Sequence, residues 1–116
     1  PGMPEIVLLT VQLRGRGVVK EVSLITDVRC SGVSHGILVG HICPEAAKGG
    51  PIGAVRDGDT IAINPKTRRL DLDIAPEELE ARLAELGPPV LSDLPAGSVL
   101  GKYRRLVSSA HYGCVL

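Results

Sequence analysis

Ser31 follows an Arg29-Cys30 pair and precedes Gly32, just beyond the short apolar run Val22 to Ile25. A serine placed there can turn its hydroxyl and the neighbouring backbone N–H groups toward a ligand, because strand ends in mixed folds often make binding sites. The plainer reading is an ordinary turn, since Ser and Gly dominate turns. His35, His41 and His111, with Cys30, Cys43 and Cys114, raise the question of a metal set. Their spacing argues against one: there is no Cys-x-x-Cys, and His41 with Cys43 makes only a pair. Cys43 then reads as a small buried hydrophobe. Glu5 and Glu45 each follow a proline, and alone they read as an exposed acid and a cap or first-turn charge. Asp57-Gly58-Asp59 lacks the later glutamate of a calcium loop and reads as a hairpin turn. Ser108, Ser109 and His111 invite a hydrolase reading, but nothing places an acid and an oxyanion hole around them.

These residues need elements to position them. Pro4 to Leu13 is an apolar stretch that fits a helix begun near Pro4 and ended by Gly15 and Gly17, with a strand as the alternative because of its β-branched residues. Val22 to Ile25 and Ile37 to Val39 read as strands, and Cys43 to Ala47 as one helical turn closed by Gly49-Gly50. Ile52 to Val55, Thr60 to Ile63 and Arg69 to Leu72 read as three more strands, with Asp57-Gly58 and Asn64-Pro65 as turns between them. Pro76 to Leu86 is the clearest helix: Asp73 is in place to cap it, Glu77, Glu78 and Glu80 suit its N-terminal end, and Leu79, Leu83 and Leu86 share a face. Val90 to Gly97 reads as a loop, and Gly101 to Ser109 as a closing helix or an extended tail. The expected class is α/β and β-rich, a small sheet or barrel with a few helices.

Composition narrows the function classes. The chain has 116 residues and 44% apolar content, which suits one globular domain. There is no Trp and no Phe, so Val, Leu and Ile must fill the core. Thirteen basic and thirteen acidic residues cancel, leaving no basic field for a nucleic-acid backbone and almost no aromatics for base stacking. No run approaches the roughly 20 apolar residues of a membrane span. Three irregularly spaced cysteines fit a reducing cytoplasm better than a disulfide framework. The start at Pro1 leads us to expect a piece cut from a longer protein.

Several strings, taken in order, resemble one family. Pro1-Gly2-Met3-Pro4-Glu5 looks like the end of a Gly-Pro-Gly-Met-Pro-Glu stretch, and Leu24-Ile25-Thr26-Asp27-Val28-Arg29-Cys30-Ser31-Gly32 is similar to a Leu-Ile-Thr-Asp-Gly-Arg-Phe-Ser-Gly signature. Gly40-His41-Ile42-Cys43-Pro44-Glu45-Ala46-Ala47, then Gly49-Gly50-Pro51-Ile52, resemble a His-Val-Ser-Pro-Glu-Ala block and a following Gly-Gly-Pro-Ile. Asp57-Gly58-Asp59, Arg68-Arg69-Leu70-Asp71, Lys102-Tyr103 and Arg105 to Ala110 follow in the same order. The pattern resembles the C-terminal domain of the dihydroxy-acid dehydratase/6-phosphogluconate dehydratase family, and the match spans nearly the whole chain.

That resemblance implies a swivelling β-barrel-like domain over residues 1–116, with flanking helices, packed on a larger cluster-binding N-terminal domain outside this sequence. It implies a hydro-lyase that dehydrates 2,3-dihydroxy acids or sugar acids to 2-oxo acids, in branched-chain amino-acid synthesis or sugar-acid metabolism. The implied cofactors are an iron–sulfur cluster, with ligands in the N-terminal domain, and a magnesium ion. Ser31 corresponds to the family's proposed base, activated by nearby metal charge, and Glu5 to the magnesium-ligating glutamate. Gly32 and Arg29 are expected where the substrate approaches the backbone. The implied partners are the N-terminal domain, a hydroxy-acid substrate and a second copy of the full-length protein. Val28, Cys30 and Val33 stand where the signature has Gly, Phe and Gly, positions at which positive φ would cost a valine. These changes motivate an alternative: a degenerate, non-catalytic binding module on the same fold.

Overall fold

The computed structural model describes residues 4–31, 36–88 and 94–116. Helix α1, Val7–Gly15, is ended by a left-handed Gly17 at φ 75°. The Gly17 N–H bonds to the Arg14 carbonyl and the Val18 N–H to the Leu13 carbonyl, a pairing that satisfies the last carbonyls of a helix. Helix therefore wins over strand here despite the β-branched content, with Gly17 as terminator and Gly15 inside. Strands β1, Leu24–Ile25, and β2, Leu38–Val39, pair in parallel, Leu24 opposite Leu38.

A 3-10 turn over Ala46–Lys48 follows, closed by left-handed Gly49. Gly50 comes next under tight constraint: a Cβ there would stand 1.8 Å from the Pro44 carbonyl oxygen, so only glycine fits. Pro51–Ala54 is a second 3-10 turn, where the sequence led us to expect a strand over Ile52 to Val55. Pro51 explains the difference, because its fixed φ and missing N–H suit the first position of a helical turn and suit a strand poorly. The Gly53 N–H then closes the turn on Gly50, and Gly53 backs onto Ala46.

Strands β3, Ile61–Asn64, and β4, Arg69–Leu72, form an antiparallel hairpin with Ile61 opposite Leu72. Asn64 makes its turn by accepting the N–H groups of Lys66 and Thr67 on its side-chain oxygen, both at 3.1 Å. Helix α2 runs Pro76–Leu86 with Pro76 in its first turn and Glu77 and Glu78 at its positive end. Asp73 does not cap it. Ala75 holds the cap position without a side-chain bond, and the Asp73 N–H extends the hairpin by bonding to Thr60. Helix α3, Val99–Leu106, is capped by Ser98, whose Oγ accepts the Gly101 N–H at 3.0 Å. The closing segment is thus helix first and then a folded-back tail, in which the Ser108 N–H reaches the Val115 carbonyl. The expected loop from Val90 lies partly outside the described residues.

The result is a mixed domain of helices and short strands. Among the described residues the strands form two separate two-stranded ladders and no closed barrel. The described strands are only two and four residues long, and two 3-10 turns separate β2 from β3. The expected mixed α/β class holds, while the barrel-like arrangement is not seen among the described residues. Among the described residues Ala54 and Val107 are the buried aliphatic side chains, each 3% exposed. The radius of gyration of 15.7 Å exceeds the ~13 Å usual for a compact chain of about 100 residues. Among the described residues no helix is long and apolar enough to cross a membrane.

Candidate functional site

The backbone around Glu5 lies beside the loop that leaves β1. Arg29 sits between Pro4 and Ile6: its N–H bonds to the Pro4 carbonyl at 2.9 Å, and its carbonyl accepts the Ile6 N–H at 3.1 Å. This parallel bridge pairs Glu5 with Arg29. It sets the Glu5 carboxylate against the loop tip, where Oε1 accepts the Ser31 N–H at 3.2 Å. Glu5, Arg29 and Ser31 are all exposed, so all three face solvent at one spot. Three of the four residues singled out from the sequence therefore meet. The fourth, Gly32, lies outside the described residues, as do Val33 and His35.

The same loop is held from its other side. The Thr26 N–H bonds to the Val39 carbonyl, the Ile42 N–H to the Thr26 carbonyl, and the His41 N–H to the Val28 carbonyl. Thr26 Oγ1 accepts the Val28 N–H, which fixes the turn off the strand. Cys30 is half-buried, and its sulfur lies 3.4 Å from where a Cβ on Gly40 would stand. Val28 is not among the positive-φ residues, so valine meets no left-handed strain at that position. His41 does take a left-handed backbone at φ 58°, where the chain leaves β2.

Asp27, and Glu45 that the sequence left as a cap or first-turn charge, tie the loop to the rest of the domain. Asp27 Oδ2 accepts the Ala46 N–H at 2.8 Å, at the start of the first 3-10 turn. Glu45 is 2% exposed and points to the closing segment, where it accepts the Ser109 hydroxyl at 2.8 Å and the Ala110 N–H at 2.7 Å. Burial alone would push the Glu45 carboxyl up. The bonds donated by Ala110, its own N–H and Ser109, with the Lys48 charge, outweigh burial and hold it below the usual glutamate range. No spacing rule in the sequence could have paired these groups.

Ser109 is consumed by Glu45, and Ser108 Oγ accepts the Val115 N–H at 2.9 Å, so neither serine is set up as a nucleophile. The His111 ring packs edge-on to Tyr112, with centroids 4.9 Å apart. Cys43 is exposed rather than the buried hydrophobe expected, and its thiol donates to the His41 carbonyl at 3.2 Å. Loss of hydration and the charges of Glu45, Cys114 and Asp27 push that thiol up, which keeps it protonated. Asp57-Gly58-Asp59 is a turn, with Gly58 at φ 91° and Asp59 directed at Arg82 rather than at a cation.

Among the described residues no three His, Cys, Asp or Glu side chains gather as a metal cage. What the described site offers a hard cation is the exposed Glu5 carboxylate, an oxygen donor of the type such a cation takes. A cavity of about 430 Å³ lies between the two ladders, lined mainly by aliphatic side chains such as Ile25, Val39, Ile52 and Leu72.

The fold and site define a class: a small mixed domain that presents one carboxylate and one serine at an open loop edge. The chain belongs to the dihydroxy-acid/6-phosphogluconate dehydratase C-terminal family, whose sequence profile matches residues 1–114. It is 48% identical over 116 residues to a dihydroxy-acid dehydratase of Sulfurisphaera tokodaii, covering 100% of this chain and 20% of that protein. It is 50% identical over 115 residues to one of Methylococcus capsulatus, covering 99% and 20%. Against the mitochondrial dihydroxy-acid dehydratase of Saccharomyces cerevisiae the identity is 48% over 117 residues, covering 100% and 20%. The chain thus spans about 20% of the length of the curated relatives it matches.

Proposed function

We propose that this chain is the C-terminal domain of a hydro-lyase that converts 2,3-dihydroxy acids to 2-oxo acids, and that it supplies the base and one magnesium ligand. The observation that carries this reading is the bond from the Ser31 N–H to Glu5. It sets a carboxylate suited to a hard cation beside the one serine expected to move a proton. Ser31 takes the proton from the carbon next to the substrate carboxylate, and the exposed loop edge leaves its hydroxyl open to that carbon. Glu5 would hold magnesium through carboxylate oxygen, while its Oε1 accepts the Ser31 N–H and orients that backbone. Magnesium and the iron–sulfur cluster, when bound, would supply the positive charge that lowers the serine pKa and favours loss of the hydroxyl. Gly32 and Arg29 border the substrate, and Cys30 takes away the large apolar wall that the signature's Phe would give. The similarity to dihydroxy-acid dehydratases favours dihydroxy acids over sugar acids as substrates, and with them branched-chain amino-acid synthesis.

The partner in this reading is the N-terminal domain, which carries the iron–sulfur cluster. Leu8 is 76% exposed, Val99 82% and Leu106 66%, and apolar surface of this kind calls for cover. The full-length protein is read as a cytoplasmic homodimer, with its cysteines reduced.

The test joins the chain to its N-terminal portion, reconstitutes the cluster anaerobically with magnesium, and follows 2-oxo acid formation. The wild type should turn over and Ser31→Ala should not. A folded, cluster-loaded wild type with no turnover on dihydroxy acids or sugar acids would instead support the non-catalytic binding module.

A further inference from the structure

We propose that Asp27 is a positioning residue for the Ser31 loop, an inference that rests on the role proposed for Ser31. The loop leaves β1 after only two paired residues, so strand pairing alone holds it weakly. Asp27 lies four residues before Ser31 and crosses to another element: its carboxylate caps the turn Ala46–Lys48 through the Ala46 N–H at 2.8 Å. Glu45, next to Ala46, is itself locked to Ser109 and Ala110. The turn that receives Asp27 is therefore a fixed anchor. From Asp27 onward the chain is held by the Val28 bonds to Thr26 and His41 and by the Arg29 bridge before it reaches Ser31, whose N–H meets Glu5. Asp27 sets where the loop starts, and Glu5 meets it where it ends. Losing the first shifts the second, which moves the serine relative to the carboxylate. Substrate contacts made elsewhere are untouched, so the loss falls on turnover rather than on binding.

Three variants of the full-length protein test this: Asp27→Ala, Asp27→Asn and Ala46→Pro. Asparagine keeps an oxygen acceptor for the Ala46 N–H. Proline deletes that N–H from the other side, at the first position of a helical turn where its ring is tolerated. Amide hydrogen exchange over residues 28–31 reads the loop directly, without any assay of activity. Asp27→Ala and Ala46→Pro should each speed exchange there by about tenfold or more and leave the β3–β4 hairpin unchanged. In turnover, both should lower kcat by about tenfold with KM nearly constant, and Asp27→Asn should restore both readouts to near wild type. Faster exchange confined to residues 46–48, or spread over the whole domain, would overturn the proposal. So would an Asp27→Asn protein no better than Asp27→Ala, or a kcat that falls while exchange at 28–31 stays put. A wild type without dehydratase activity would sink the functional reading alone, and the exchange pattern would still decide the role of Asp27.

Discussion

The domain has two differently built halves. In the half made of the β3–β4 hairpin, α2 and the Pro51–Ala54 turn, side chains cross-link the elements. Arg82 is buried and grips both carboxylate oxygens of Asp59, at 2.6 and 3.1 Å, while also bonding Glu78 and the Ala54 carbonyl. Each donor aimed at a carboxylate is charge-assisted, and the fork geometry fixes direction as well as distance. In the other half, the Ser31 loop is held mostly by backbone bonds to its two flanks, with Asp27, Glu5 and the Thr26 hydroxyl as side-chain ties. Its chemical groups stay exposed. One half is closed on itself, and the other leaves its chemical groups open to solvent. The difference shows how a small domain can keep a site open without losing its frame.

Breaking the open half should change chemistry most. Ser31→Ala should lower kcat of the full-length enzyme by about 10²–10⁴-fold, the usual contribution of a positioned base, with the cluster spectrum unchanged. Glu5→Gln should cost roughly 10–100-fold and raise the magnesium needed for half-activity. Breaking the closed half should change stability instead. Arg82→Met leaves Asp59 buried without its partner, and the melting midpoint should fall by about 5 °C or more, while turnover per folded molecule stays near wild type.

Smaller effects sharpen the contrast through pH. The Arg82 hydrogen bonds, then the Arg56 N–H, hold the Asp59 carboxyl below its ordinary value against the opposing pull of burial, and Glu45 is likewise depressed. Both groups have folded values below their unfolded ones. They add stability that is complete above the ordinary carboxylate range and is lost as pH falls through the folded values. Glu45→Ala should therefore cost about 1–3 kcal/mol at neutral pH and flatten the loss of stability in acid. Urea unfolding at pH 7 and pH 3 checks both. The exposed Arg69–Asp71 pair should matter least, and Asp71→Asn should leave the midpoint unchanged within error.

What the sequence made legible follows from the range of each signal. Pro76–Leu86 could be read because its start, acidic first turn and apolar face are all local. The Asn64-Pro65 turn was legible for the same reason. Glu5 and Ser31 were found through family resemblance, and their meeting in space follows from the bridge at Arg29. The Asp27 and Glu45 bonds span 19 and 64 residues and join side chains to partners that carry no periodicity, so no pattern announces them. Arg82 was hidden inside an apolar helical face, where its value depends on Asp59 across 23 residues. The strand expected at Ile52 failed because aliphatic content outweighed Pro51 in the reading, although proline decides the backbone.

The most direct test of the central claim, that Glu5 and Ser31 form one chemical site, is a double-mutant cycle on the reconstituted full-length enzyme. It compares kcat/KM for wild type, Glu5→Gln, Ser31→Ala and the combined variant. Groups acting as a unit on one step are strongly non-additive, so the double variant should be about as slow as the slower single one. Losses that simply multiply, or a Ser31→Ala enzyme that keeps wild-type kcat/KM, would contradict it.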